Sequence, residues 1–251
     1  MTRAIGLAVA AALAGCGTTG GNLVSFDVVA QGAAPPSPRN AGVYDTSLGW
    51  HVKLSRAMLY IGAVYLNQTR PNSGIQGTDC ILPSVYTGQE LQGLDIDVLS
   101  PRAQPFPAPG TGTDDEVLTG EVWLTHGDVN AQTDKAIADI AGTATRGTQV
   151  LPFSATIQIN SANRGIPSPP ALPSQHPICK QRIVSPIFID LRPHDGGTLS
   201  ITVDPSGWFD AVDFTGVPPD GVFPDDRNNT ASDTLFTAIR AATATFKFSF
   251  E

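Results

Sequence analysis

Trp50-His-Val-Lys-Leu-Ser-Arg-Ala-Met-Leu-Tyr-Ile-Gly-Ala-Val-Tyr-Leu66 is the stretch that decides the fold. Its first part alternates. Trp50, Val52 and Leu54 fall on one face and His51, Lys53 and Ser55 on the other, the period of an extended strand with one side in a core. From Ala57 onward the run is apolar on both faces. That pattern suits a strand in the middle of a sheet covered on both sides. By composition alone a buried helix fits the middle of the run as well.

Reading outward, the same alternation recurs and helical periodicity is almost absent. Leu23 to Ala30 reads as a first strand. Leu118 to Thr125 alternates with Trp123 on one face, and Glu90 to Leu99 reads as a short strand. Ala136–Thr145 and Gln149–Asn160 form a predicted hairpin across Arg146-Gly147-Thr148. Ile183 to Leu191 and Thr198 to Val203 are joined by Pro193-His194-Asp195-Gly196-Gly197. Ala244, Phe246, Phe248 and Phe250 alternate with polar neighbours, a half-buried strand expected to complete the body. One helix signal stands out at Asn228–Ala242: Ser232 is a capping residue, Asp233 lies in the first turn, and Leu235, Phe236 and Ile239 share a face. The chain holds 25 glycines and 21 prolines. Ala33–Asn40, Pro71–Pro83, Ser100–Asp115 and Ser161–Pro177 read as loops. These features together predict an all-β sandwich, Ig-like or jelly-roll-like, with one short peripheral helix near the C-terminus.

The N-terminus has a different character. Ile5–Leu13 is a short apolar run behind Met1-Thr2-Arg3, too short for a bilayer span of roughly 20 residues. It leads into Leu13-Ala14-Gly15-Cys16. This arrangement resembles a bacterial lipoprotein signal. The resemblance implies cleavage before Cys16 and lipid attachment to it, and Gly17, in place of an Asp, implies outer-membrane sorting. The expected organisation is a signal peptide over 1–15, a lipidated tether over 16–22 and one domain over 23–251. The segments Gly49–Leu54, Leu59–Tyr65 and Trp208–Phe214 are similar to a group of uncharacterised bacterial lipoproteins, and more faintly to MbnP-type periplasmic copper-binding proteins. No metal-binding position carries over from that likeness.

Charge narrows the partners. The formal net charge is -8 and becomes one unit more negative without Arg3. The isoelectric point is near 4.8. Such a chain is poorly suited to nucleic acid or to electrostatic docking on anionic lipid, so the expected membrane attachment is the lipid on Cys16. The partner expected beyond the membrane is a cell-envelope protein or a small ligand of unspecified chemistry. In an exported protein Cys80 and Cys179 most simply form one disulfide, closing a loop of roughly 100 residues; a thiolate metal site is the alternative.

Candidate chemistry is sparse. None of the four histidines, His51, His126, His176 and His194, forms a short metal-binding motif. A copper or zinc site therefore requires convergence in space, for which His51 with His126 is the candidate pair; no other cofactor is expected. Asp128–Asp134 and Asp220–Asn229 have oxygen side chains in patterns that suggest calcium loops but read better as polar turns. Trp208–Phe214 alternates bulky residues with acids, which suggests a strand end, and within it Asp210 and Asp213 are the carboxylates for a glycan-hydrolase reading. No nucleophile motif or phosphate-binding loop occurs. The leading expectation is a non-enzymatic binding or accessory module of the cell envelope.

Overall fold

The computed structural model describes residues 20–34, 42–70, 85–125, 135–159 and 182–251. Cys16, Cys80, Cys179, His126 and His176 lie outside them, so the expected lipidation site, disulfide and histidine pair fall beyond the described structure, as does the Asp128–Asp134 turn.

The described chain is all-β, as the alternation predicts. Its strands are β1 (Leu23–Gly32), β2 (Val43–Asp45), β3 (His51–Ile61), β4 (Ala63–Asn67), β5 (Tyr86–Glu90), β6 (Leu94–Asp97), β7 (Gln104–Pro105) and β8 (Gly110–Thr113). They continue with β9 (Val117–Trp123), β10 (Ala136–Arg146), β11 (Gln149–Gln158), β12 (Ile183–Leu191), β13 (Thr198–Val203), β14 (Val222–Phe223) and β15 (Phe246–Phe250). Two helices, α1 (Thr230–Ile239) and the single turn α2 (Ala242–Thr245), precede the last strand.

Two sheets face each other across one core. The nine-stranded sheet runs β12-β9-β4-β5-β8-β1-β13-β15, with β7 paired to β1; the six-stranded sheet runs β14-β11-β10-β3-β2, with β6 beside β3. The Trp50–Leu66 run supplies both. β3 is central in the smaller sheet and β4 in the larger. The turn between them is a single residue, Gly62, whose N–H donates to the Trp123 carbonyl at 2.7 Å. The apolar half of the run is buried on both faces because it passes from one sheet to the other: Ala57, Leu59, Ile61, Ala63, Val64 and Leu66 are all essentially without exposed surface. The alternating half behaves as its polarity dictates, with Trp50, Val52 and Leu54 buried and His51, Lys53 and Ser55 exposed. The helix alternative for this stretch is thereby excluded.

Inside the larger sheet, small and large residues interlock. Val24, Gly112, Gly88, Leu66 and Gly120 form one register row across five strands. A Cβ at Gly120 would lie 2.6 Å from the Phe248 ring, and one at Gly110 would lie 2.4 Å from the Phe26 ring. These glycines make room for aromatic rings, Phe26 from the register partner on β1 and Phe248 from β15. The outermost strands β12 and β15 come within contact distance of one another, which shields edges that would otherwise invite pairing.

A second aromatic cluster holds the smaller sheet. Phe153 of β11 lies 5.3 Å from Phe209, 5.0 Å from Phe214 and 5.8 Å from Phe223, and Trp50 lies 5.3 Å from Phe214, all between ring centroids. The segment Trp208–Phe214, whose alternation suggested a strand end, is instead a series of turns closing in a 3-10 turn at Phe214–Gly216. Turns let Trp208, Phe209, Val212 and Phe214 all point inward, which a strand of period two cannot do. The helix α1 buries Leu235, Phe236 and Ile239 as predicted, but Asn229 caps it: its Oδ1 accepts from the Ser232 N–H at 3.0 Å. Ser100–Asp115, read as a loop, contains the short strands β7 and β8.

The inner glycine row predicts a sharp contrast. Gly120→Val forces a branched side chain into the Phe248 ring and should destabilise by about 1–3 kcal/mol or more. Gly207→Ala, where a Cβ meets nothing within 4 Å, should be close to neutral. Urea unfolding midpoints of the two variants against the parent check this.

Candidate binding face

On the opposite side of the same strands runs a row of different chemistry. Ser25 pairs with Thr111, Thr111 with Gln89, Gln89 with Tyr65, and Tyr65 with Glu121. Strand alternation puts all five on the outer face, because their neighbours Val24, Gly112, Gly88, Leu66 and Gly120 occupy the inner one. The row is graded in burial. Ser25, Thr111 and Gln89 are exposed, Tyr65 is half-buried and Glu121 is buried.

At the buried end, Glu121 is enclosed by donors. The Trp123 indole N–H donates to its Oε2 at 3.0 Å and the Ser185 hydroxyl to its Oε1 at 3.4 Å. Tyr86 and Asn67 add side-chain hydrogen bonds to the same carboxylate. Tyr65 packs among them, 4.7 Å from Trp123 and 5.3 Å from Tyr86 between centroids. Burial nonetheless outweighs the donors and pushes the Glu121 carboxyl above its ordinary value, as desolvation of the charged form requires. Burial, and then the nearby Glu121 charge, raise the Tyr86 phenol in turn. The shared bond between the two groups ties the buried acid to the exposed end of the face.

At the exposed end lies a groove of about 590 Å³. Its lining includes Leu23, Ser25, Tyr86, Gln89, Thr111 and Asp195. Asp195, in the β12–β13 connection, accepts the Ser25 N–H at 3.0 Å, fixing the groove's rim. The backbone of the floor is already paired in the sheet, so recognition there falls to side chains. Beside the groove the chain entering β1 is clasped: the Asn22 N–H and Nδ2 donate to Asp114 Oδ1 and Oδ2 at 2.7 and 2.9 Å, and the Gly21 N–H donates to Asp115 Oδ2 at 3.2 Å. The Asn22 bonds hold the Asp114 carboxyl below the usual range.

The residues singled out from sequence are placed elsewhere. His51 stands on the exposed side of β3 with Nδ1 2.8 Å from Asp45 Oδ1. His194 is in the β12–β13 connection, its ring edge-on to Phe250 at 5.1 Å. Among the described residues no group of three or more His, Cys, Asp or Glu is arranged to hold a metal ion. Asp210 accepts the Ser47 N–H at 2.7 Å, and Asp213 accepts the Thr215 N–H at 3.0 Å as the cap of the 3-10 turn. Both therefore hold turns. In the acidic loop, Asp220 and Asp226 accept the N–H groups of Val222 and Asn228, the polar-turn arrangement.

Sequence reading missed Glu121. A signal was present: an acid within Val117–Trp123, a run otherwise free of charge. Comparison of the chain with protein-family models, with curated proteins and with solved structures yields no match.

The raised carboxyl sets a pH dependence. The folded protein holds the Glu121 proton more tightly than the unfolded chain, whose Glu titrates near about 4.3. The neutral acid's contribution is thus fully present below that pH and is lost as pH rises through the higher folded value. Relative to Glu121→Gln, the parent should lose unfolding free energy from mildly acidic toward neutral pH and then level off. Glu90, which burial also raises, is common to both proteins and cancels. Urea titrations at a series of pH values measure the difference; parallel curves would show that folding leaves the proton affinity of Glu121 unchanged.

Proposed function

We propose that this protein is a bacterial lipoprotein, held in the outer membrane by lipid on Cys16 and facing the periplasm or the cell surface, whose β body is a non-catalytic binding module. The observation that carries the binding reading is the groove at the exposed end of the polar row. It is a concave surface with side-chain donors and acceptors over a floor of laddered strands. Its one carboxylate, Asp195, is engaged in a backbone bond at the rim. That is equipment for recognition.

The clasp at Gly21 and Asn22 supports the anchored geometry. Between Cys16 and the clasp stand residues 16–20, which span at most about 18 Å when fully extended. The groove, bordered by Leu23 and Ser25, is then held on the membrane-proximal side of the body. An attached lipid with two or more chains gives the firm hold that an acidic protein cannot obtain from basic residues.

Expression in a diderm bacterium fed an alkyne-tagged fatty acid tests the anchoring. The parent should carry the label and sediment with outer membranes. Cys16→Ser should lose the label and retain residues 1–15. An unlabelled, soluble parent overturns the anchoring. Substrate turnover abolished by a single Asp or His substitution overturns the non-catalytic reading.

A further inference from the structure

We propose that the groove binds an uncharged saccharide; this rests on the binding-module reading above and gives its ligand a chemical class. The lining has neither Lys nor Arg, and the chain as a whole is acidic, so phosphate, sulfate and carboxylate ligands find no counter-charge. What the groove offers is a mixture of neutral donors and acceptors. The Ser25 and Thr111 hydroxyls lie in one register row with the Gln89 amide. All three are exposed, and none has an internal side-chain partner among the described residues. Strands in such a row stand about 4.8 Å apart, so the three side chains form one polar line across the floor.

The walls complete the match. Tyr86 is 38% exposed and Leu23 is 88% exposed, giving apolar surface at the groove beside the polar floor. A sugar ring has this same division, with C–H groups on its faces and hydroxyls at its rim. Aromatic rings with a polar tip suit such a ligand. Tyr86 is held from behind by Tyr65 and by its bond to buried Glu121, so its orientation is set before a ligand arrives, which lowers the ordering cost of binding. An added peptide strand is disfavoured, because β8 is laddered on both sides and the Ser25 N–H and C=O are taken by Asp195 and Gly196.

The test uses the full lipidated protein in phospholipid nanodiscs, avoiding detergents with sugar headgroups. Calorimetric titration compares uncharged oligosaccharides (gluco-, manno- and N-acetylglucosamine series), anionic oligogalacturonate and a mixed peptide library. We expect saturable binding of at least one uncharged series, weakened about tenfold by the exposed-face double variant Gln89→Ala/Thr111→Val. Circular dichroism and unfolding midpoint establish that the variant is folded. No uncharged saccharide bound, or binding unchanged in the folded variant, overturns the proposal. Variant-sensitive binding of oligogalacturonate or peptides in place of neutral sugars also overturns it, while leaving the binding-module reading standing. So does protection of Tyr86 and Leu23 by the empty nanodisc itself, which would make this face a lipid contact.

Discussion

One ribbon, Trp50 to Asn67, belongs to both sheets, and the body is organised around its passage through Gly62. β3 carries β10, β2 and β6 on its flanks; β4 carries β5 and β9. Because the two strands are covalently continuous, the sheets cannot slide relative to one another without breaking ladders on both sides of the bend. The Gly62 N–H bonded to Trp123 fixes the bend against β9, the strand that also bears Glu121. The central core and the outer polar row are thus referenced to the same few residues.

Much of this was legible in the sequence where a segment's own pattern decides its structure. The β10–β11 hairpin, β13 and the C-terminal Phe246–Phe250 alternation report their burial directly, because each strand has one buried and one wetter face. The elements that escaped are those defined by partners. β8 is Gly-Thr-Gly-Thr and has no hydrophobic signature. It is a strand because β1 and β5 supply ladders on both sides and because Phe26 fills the space above Gly110. Trp208–Phe214 failed in the opposite way. Its alternation was real, but it arose from a turn-rich segment that directs four large side chains into an aromatic cluster.

Glu121 escaped for a third reason. Its one local sign is a lone acid in an otherwise uncharged run, and what makes it a site is not local, since apart from Trp123 its donors come from β4, β5 and β12. Such a site exists only after the sheet has formed. The sheet in turn tolerates a carboxyl there because the proton can stay on and because several donors converge, a dependence of chemistry on fold that no local window of sequence contains.

The two faces of the strands β1, β8, β5, β4 and β9 differ in how freely they can change. Along the inward row a Cβ at Gly112 meets the Thr87 carbonyl, one at Gly120 the Phe248 ring and one at Gly88 the Leu66 side chain, so each position accepts few residues. The outward positions Ser25, Thr111 and Gln89 border open space, and their replacement alters no ladder and no core contact. The outer face can therefore drift through many side-chain combinations while the scaffold beneath stays fixed. Descendants of one such body would keep their glycines and diverge in the chemistry of that face.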